Sequence, residues 1–552
     1  MPKTNKRPRS EEPAHNSAAP SAAAIDAFIS WLKTTGASLN GLAINANDDG
    51  SFGLFAARKL SSGSVFGNLP RDMILDPIAV LEKDKIALKA TEKGGSPAFS
   101  FWLSLAAASK DPSHFHTPYL GALPRESPDP CAWPDAERQL LDGTQLATQV
   151  ANQRRLLADE HRRIAPIAAP GVTFDDLLWA RGVHLSRCFP RALVEAAALS
   201  TNHEVLGSNT IDSASLTVEH GSGGGGARVT WSSANEDGSV AHQPDASASA
   251  SDGASRFKFQ QQAKADGGQQ SASAGASTSS ATDAAAATAD GTSEPAQVEP
   301  GGGAEHEEFA ASNLGCMLPM YDMADHKVGH PIGWEAGSGG VRFRCRIDIP
   351  KGQPLFNNYG DKGNQELLFT YGFAVRDNPL DAVEGIIVGC APDGDAAVSA
   401  ERKRLLDEQG VPYMTRRTDG ALLIGPFDLK PPLAASPASG GEAGEAEEEE
   451  AAASFLPVEL LYALQVVGME DVDEGPVLSL DELDLLRTTL EARLEALTPA
   501  AEADAAAAWG TRAGFVAAYR EGQRRVLRTA LEEVSELAAG AGGEGEEEEG
   551  EE

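Results

Sequence analysis

Two stretches of this 552-residue chain gather side chains able to do chemistry within a few positions of one another. Leu318-Pro-Met-Tyr-Asp-Met-Ala-Asp-His326 offers two carboxylates and an imidazole, and Asn358-Tyr-Gly-Asp-Lys-Gly-Asn-Gln-Glu-Leu-Leu-Phe-Thr-Tyr-Gly-Phe373 offers two phenols and two phenyl rings among glycines. Upstream, Leu185-Ser-Arg-Cys-Phe189 carries a guanidinium, a fork that pairs with a carboxylate through two bonds. Asp322, His326 and His330 are of the types that ligate zinc or non-haem iron. Gly329 and Pro331 break the helix that would put both imidazoles on one face, and no cysteine joins them, so no metal is expected. Taken singly, Tyr359, Tyr371 and Phe373 read as core aromatics and Arg187 as an ion-pair partner.

The elements that must position these groups are legible in part. Ile25, Phe28, Ile29 and Leu32 mark an amphipathic helix stopped at Gly36. Asp49-Gly-Ser-Phe-Gly53 reads as a tight turn between short strands, and Val65 to Leu69 with Met73 to Leu75 continue the β character. Residues 135–164 are charged and helical, with Leu140, Leu141, Leu146 and Leu156 as apolar positions. The clearest strand alternates Val341, Phe343, Cys345 and Ile347 with Arg342, Arg344 and Arg346, which predicts one core face and one solvent face. In the C-terminal part, a helix from Pro457 to Val467 stops at Gly468, and Ser479 and Glu482 form a capping box before Leu483, Leu486, Leu490, Leu494 and Leu497. A last helix aligns Phe515, Tyr519, Gly522, Val526, Ala530 and Val534, and a small helical bundle is expected.

Charge and composition bound the function. Lys and Arg number 46 against 81 Asp and Glu, a net −35, which excludes a protein that works by coating nucleic-acid phosphates. Residues 207–308 hold only nine large aliphatic or aromatic side chains and are expected to be a disordered insert. The stretches 434–453 and 540–552 hold thirteen glutamates, so part of the acidity belongs to solvated strings rather than to the fold. The organisation that follows is a disordered leader (1–22), an N-terminal piece (23–206), the insert (207–308), a middle piece (309–395), a helical piece (396–539) containing the acidic linker 434–453, and an acidic tail (540–552). Five scattered cysteines without a C-x-x-C pair argue against a disulfide framework and a zinc cluster. With no long apolar run and no secretory h-region, a soluble intracellular protein away from membranes is expected. The basic knot Lys6, Arg7 and Arg9 favours nucleus or cytoplasm, and Glu11 and Glu12 count against a chloroplast transit peptide, although a chloroplast address stays open.

In order and separation, Ser51-Phe-Gly-Leu-Phe-Ala-Ala-Arg58, the Arg187 segment, Asp322 to His326 and Asn358 to Phe373 resemble the SET-domain protein methyltransferases of the Rubisco large-subunit lysine methyltransferase class. Tyr519-Arg-Glu-Gly-Gln523 is similar to that family's C-terminal helix. The resemblance implies an α+β fold: a SET domain of short β-sheets interrupted by a helical insert, followed by an all-α substrate-binding domain. It implies methyl transfer from S-adenosyl-L-methionine to a lysine of a protein substrate, with Rubisco, other metabolic enzymes, ribosomal proteins and histones as candidates.

By the same resemblance Tyr359 is the catalytic tyrosine and, with Tyr371 and Phe373, forms an aromatic sleeve for the incoming amine. Arg187 suits the cofactor carboxylate, Asp322 and Asp325 suit its ammonium, the backbones of Gly53 and Leu54 line the methionine end, and His326 lies near the adenine through its backbone. Two departures stand out. Asp325 occupies the place of the family's Asn in Asp-x-x-Asn-His, and Ser51 replaces the first glycine of G-x-G. An Asn amide that donates a bond would be missed by about 1 to 3 kcal/mol, whereas one that only accepts is replaced by Asp without loss. An active lysine methyltransferase and a cofactor-impaired relative serving as a protein-binding module therefore both stay open, as does methylation of histidine, practised by one branch of the class.

Overall fold

The computed structural model describes residues 19–47, 51–197, 203–206, 215–219, 228–232, 314–327, 332–337, 339–390, 396–416, 421–431, 454–469, 471–472, 476, 478–498 and 501–543. The chain enters through the helix Ala22–Thr34, capped by the Ser21 side chain, which buries Ile25, Phe28, Trp31 and Leu32. A hairpin, Leu42–Ala46 with Phe52–Ala56, sets Ile44 opposite Leu54 and Asn45 opposite Gly53. Its expected turn at residues 48–50 lies outside the described residues.

The largest sheet has the strand order Val65–Leu69, Gly340–Cys345, Ile332–Gly337, His203–Leu206, Arg228–Ser232, Ser215–Glu219. The alternation in 341–345 works as expected: Val341, Phe343 and Cys345 are buried, while Arg342 and Arg344 reach from the other face to the Glu335 carboxylate. Ile347 departs from it. The strand ends at Cys345, the chain turns, and Ile347 is 56% exposed.

Between the two N-terminal sheet strands and their partners runs the helical insert, chiefly Pro97–Ala108, Gln145–Ala168 and Phe174–Arg187. On the 24-residue helix Gln145–Ala168 the inward position is Leu157 rather than Leu156, which faces solvent, because Leu146, Val150, Leu157 and Ile164 set the buried stripe. Within the segment expected to be without structure, 207–308, two strands are described, Ser215–Glu219 and Arg228–Ser232. They contain Leu216, Val218, Val229 and Trp231 with β-branched Thr217 and Thr230, a local concentration that suits a pleated ribbon. The remainder of that segment, residues 1–18, the linker 434–453 and residues 544–552 lie outside the described residues.

The C-terminal part differs from the all-α expectation. It holds a three-stranded antiparallel sheet, Val383–Cys390, Leu422–Leu429 and Tyr413–Thr415. Val383–Cys390, counted above with the middle piece, buries Val383, Ile386, Val388 and Cys390 in the core of this sheet and its helices. Glycines at 385 and 389 and two register shifts disguise its alternation in the sequence. The expected helices are present as Val458–Gly468, Leu480–Leu497 with the Ser479/Glu482 capping box, and Arg512–Gly543. The last of these runs four residues into the stretch read as an acidic tail.

Two hydrophobic cores result, and the helix Arg512–Gly543 belongs to both. Phe515, Val516 and Tyr519 pack into the larger N-terminal core, while Val526, Leu527, Ala530 and Val534 pack into the second. Between these two stripes the Tyr519–Gln523 motif bolts the parts together. Tyr519 Oη donates to Gln365 Oε1 at 2.7 Å, Arg520 donates to the Leu140 carbonyl, and Gln523 to that of Ala382.

Candidate active site

Residues 353–357 run between two strands. On one side the Leu355 amide donates to the Leu54 carbonyl at 2.7 Å and the Ala56 amide to that of Gln353 at 2.9 Å. On the other, Phe356–Asn357 pairs in parallel with Asp325–His326. This threading brings Gly53 and Leu54, residues 322–326 and Tyr359 into one region although the sequence scatters them over 300 residues.

Tyr359 is held at both ends by the same short segment. Its amide donates to His326 Nδ1 at 3.1 Å, and its phenol donates to the Ala324 carbonyl at 3.1 Å. Its ring stacks on Tyr371, with centroids 4.6 Å apart and planes 20° from parallel, and His326 lies 5.1 Å away on the Tyr359 ring. Phe373 closes the group at 6.1 Å from Tyr371 and 6.0 Å from His326. Tyr371 is the last residue of the helix Asn364–Tyr371, which ends on Gly372 in the left-handed region at φ 75°. A Cβ at Gly372 would stand 2.4 Å from the Pro128 carbonyl oxygen, so only glycine turns the chain tightly enough to place Phe373 beside Tyr371. Tyr371 and Phe373 are buried and Tyr359 is partly so. Burial, and next the Asp325 carboxylate, push the Tyr359 hydroxyl up, opposed by Arg187, so the phenol stays neutral and able to donate or accept.

The charged groups form a second layer. Arg187, at the end of the helix Phe174–Arg187, donates through Nη1 to the Asp322 carbonyl at 2.9 Å and to Asp322 Oδ2 at 3.3 Å. Tyr119 Oη donates to the same Oδ2 at 2.9 Å. Asp322 is buried on the one-turn helix Tyr321–Met323; burial raises its pKa and Arg187 works against that rise. Asp322 was expected to meet a ligand cation directly, but its Oδ2 is already engaged by two protein donors. Its Oδ1 and the Nδ2 of buried Asn357 have no hydrogen-bond partner among the described residues, nor do Nη2 and Nε of Arg187. Asp325 is exposed at the rim. The region thus offers a guanidinium with free donors, a carboxylate, an amide donor and a wall of rings, a set that fits a zwitterionic ligand carrying a further positive charge. Leu54 is buried with its carbonyl bonded to Leu355, and the His326 ring serves Tyr359 rather than a ligand.

Sequence reasoning missed several members. Tyr119 lies 203 residues from Asp322 and carries no local signal. His184, one helical turn before Arg187, accepts from Trp102 Nε1 at 3.0 Å and donates to the Gly315 carbonyl at 2.8 Å, which fastens the Arg187 helix to the strand leading to Asp322. Burial depresses its pKa to about 4, fixing the neutral ring. No group of three His, Cys, Asp or Glu side chains among the described residues could hold a metal ion. His330 lies outside the described residues, and no helix among them is long and apolar enough to cross a membrane.

No protein-family model matches the chain. Curated relatives match over short stretches. Ribosomal lysine N-methyltransferase set10 of Schizosaccharomyces pombe is 44% identical over 70 residues, 12% of this chain and 13% of the relative. The chloroplastic ribulose-1,5 bisphosphate carboxylase/oxygenase large subunit N-methyltransferase of Pisum sativum is 27% identical over 178 residues, 30% of this chain and 36% of the relative. The actin-histidine N-methyltransferase of Xenopus tropicalis is 27% identical over 174 residues, 28% of each chain. The matches therefore span about one eighth to one third of these relatives' own lengths. The structure is similar almost end to end to the SET domain of LSMT bound to lysine and AdoHcy, with a TM-score of 0.55 and 16% identity over 95% of this chain and 93% of that one. Rubisco LSMT bound to sinefungin and monomethyllysine gives 0.55 and 16% over 94% and 93%. The likeness shows the fold: this chain has the SET-domain architecture seen in the Rubisco LSMT structures.

Proposed function

We propose that the chain methylates a lysine side chain of a protein substrate, using S-adenosyl-L-methionine. The observation that carries this reading is the fixed phenol of Tyr359 inside a group of rings, next to the Arg187–Asp322 pair. A lysine amine of ordinary pKa near 10.4 must lose its proton before it can attack, at a cost of roughly 4.6 kcal/mol at pH 7. Tyr359, Tyr371 and Phe373 lower that cost by excluding water, which disfavours the ammonium form, and they restrict the amine to one line of approach. The Tyr359 hydroxyl, anchored on Ala324, accepts from the amine and keeps its direction.

Arg187 offers Nη2 and Nε to the cofactor carboxylate while Nη1 keeps it seated on Asp322. Asp325 supplies negative charge to the cationic part of the ligand, Gly53 and Leu54 line its methionine end, and the backbone at His326 lies against its adenine. Bound there, S-adenosylmethionine supplies an electron-poor methyl group. The named relatives act on ribosomal proteins, Rubisco and actin, and a protein substrate of this class is the expected partner. The Lys6, Arg7 and Arg9 knot supports nucleus or cytoplasm as its compartment.

Calorimetric titration with S-adenosylmethionine tests the reading. Micromolar binding by the wild type, weakened at least about tenfold in Arg187→Ala, is expected, since a lost charged pair is typically worth more than 1.4 kcal/mol. A folded wild type that does not bind would overturn it and favour a protein-binding module.

A further inference from the structure

Among the described residues other than glycine, a positive φ is adopted by Met320 and Asp377, at 84° and 49°. Asp377 is of a type that tolerates this region and its side chain stands in solvent, whereas Met320 is fully buried, with ψ at −48°, a conformation that L side chains rarely enter. The strained residue directly precedes Tyr321 and Asp322. Within this turn the Leu318 carbonyl accepts from the Tyr321 amide at 3.1 Å and from the Asp322 amide at 3.2 Å. The two side chains then part: Tyr321 Oη donates to the Val341 carbonyl of the large sheet at 2.9 Å, and Asp322 Oδ2 accepts from Arg187 and Tyr119.

Both ends of the turn are fixed. Before it, Met317 exchanges backbone bonds with Leu75 at 3.0 Å and pairs with Cys188, the residue that follows Arg187. After it, Asp325–His326 pairs with Phe356–Asn357. Relaxing Met320 to an ordinary negative φ would rotate everything that follows it, and either the Tyr321 bond to Val341 or the 2.9 Å bond from Arg187 to the Asp322 carbonyl would break. A strained residue persists where its surroundings over-determine it, and such residues gather at functional sites. Glycine would adopt this turn without strain, but it would also leave the turn free to depart from it.

We propose that Met320 is a positioning residue of the cofactor site: its strained, buried turn fixes the Asp322 carbonyl and carboxylate on Arg187, so that the guanidinium is aligned before S-adenosylmethionine arrives. The Met320 side chain, packed into the N-terminal core, holds the turn in the strained form. The proposal rests on the cofactor reading above and adds to it how the arginine of that reading is held. Alignment in advance spares the ligand the cost of ordering its seat, and that saving is read as affinity.

The test is urea unfolding and calorimetric titration with S-adenosylmethionine of the full chain, Met320→Leu, Met320→Ala and Met320→Gly. Met320→Leu should keep the affinity within about twofold, because volume and strain are both retained. Alanine and glycine both remove the packed side chain, but only glycine escapes the strain, so Met320→Gly should unfold at higher urea than Met320→Ala, the reverse of their usual order. Its affinity should nonetheless be the weaker of the two by about two- to fivefold, the scale of the backbone freedom that glycine adds. A structural role alone would make affinity follow stability. Equal affinities in the folded variants, or an affinity that rises with the urea midpoint, would overturn the proposal and leave the cofactor reading intact. Should both small variants be unfolded, Met320→Val replaces them: a β-branched residue fits a positive φ worst and should bind several-fold more weakly than Met320→Leu, and equal affinities of these two would overturn the proposal. A wild type that is folded by circular dichroism and binds no S-adenosylmethionine would overturn both.

Discussion

Replacing Gly522 with alanine would put a methyl group 1.9 Å from Oδ2 of Asp381, 2.4 Å from its Cγ and 3.0 Å from its Cβ. The carboxylate cannot simply swing aside. It is 3% exposed, and Oδ1 accepts from the Asn364 amide at 2.9 Å while Oδ2 accepts from Asn364 Nδ2 at 3.1 Å and Arg525 Nη2 at 3.4 Å. Asn364 opens the helix whose far end carries Tyr371, and its Gly363 cap has no side chain to offer, so Asp381 is the cap. Reaching an ordinary contact near 3.5 Å requires Asp381 to retreat by about 1.6 Å, which breaks at least one charge-assisted bond. Overpacking of about 1 to 3 kcal/mol and a lost bond of similar size, less about 1 kcal/mol gained from helix propensity, give a net destabilisation of about 1 to 5 kcal/mol. Urea unfolding of wild type, Gly522→Ala, Asp381→Ala and the double variant measures it. In the Asp381→Ala background the glycine replacement should cost far less, because the Oδ2 and Cγ clashes are gone and only the 3.0 Å Cβ contact opposes the propensity gain. A wild-type background in which Gly522→Ala stabilises the protein would refute the packing described for this junction.

Tyr359→Phe should cut turnover by about a hundredfold, the usual scale for a positioned hydrogen-bonding group, while cofactor affinity stays within about twofold; unchanged turnover would remove Tyr359 from its role. Tyr119→Phe should cost about 1 to 3 kcal/mol in urea unfolding and weaken cofactor binding through Arg187, since buried Asp322 loses a donor; unchanged stability would show that Asp322 does not need it. His184 is neutral in the fold, with its pKa depressed from 6.5 to about 4, so its stabilisation is present above pH 6.5 and lost as pH falls toward 4. Between pH 7 and pH 5 that loss is about 2 kcal/mol, and a His184→Gln variant should show a pH dependence flatter by that amount; equal slopes would contradict the buried neutral ring.

What the sequence made legible was local. Val341, Phe343 and Cys345 announced their strand because one face is core, and Ser479 with Glu482 announced a helix start because capping chemistry is contained in four residues. The aromatic group was readable because Tyr359, Tyr371 and Phe373 fall within 15 residues of one another. Ile347 failed as a core residue because periodicity cannot say where a strand stops. The C-terminal sheet was hidden by glycines at 385, 389 and 425 that interrupt its alternation. Tyr119 on Asp322, and Asp381 against Gly522, join residues 203 and 141 apart, and only folding puts them together. Asp322 also seats Arg187 through its carbonyl and Oδ2, a role that the sequence did not reveal.

The central claim, transfer of a methyl group to a protein lysine, is tested most directly by incubating the purified chain and Tyr359→Phe with isotopically labelled S-adenosylmethionine and a cell extract, then locating the label by peptide mass spectrometry. Label is expected on lysine side chains with the wild type and almost none with the variant. Label confined to histidine, or no transfer by a folded wild type that binds the cofactor, would contradict it.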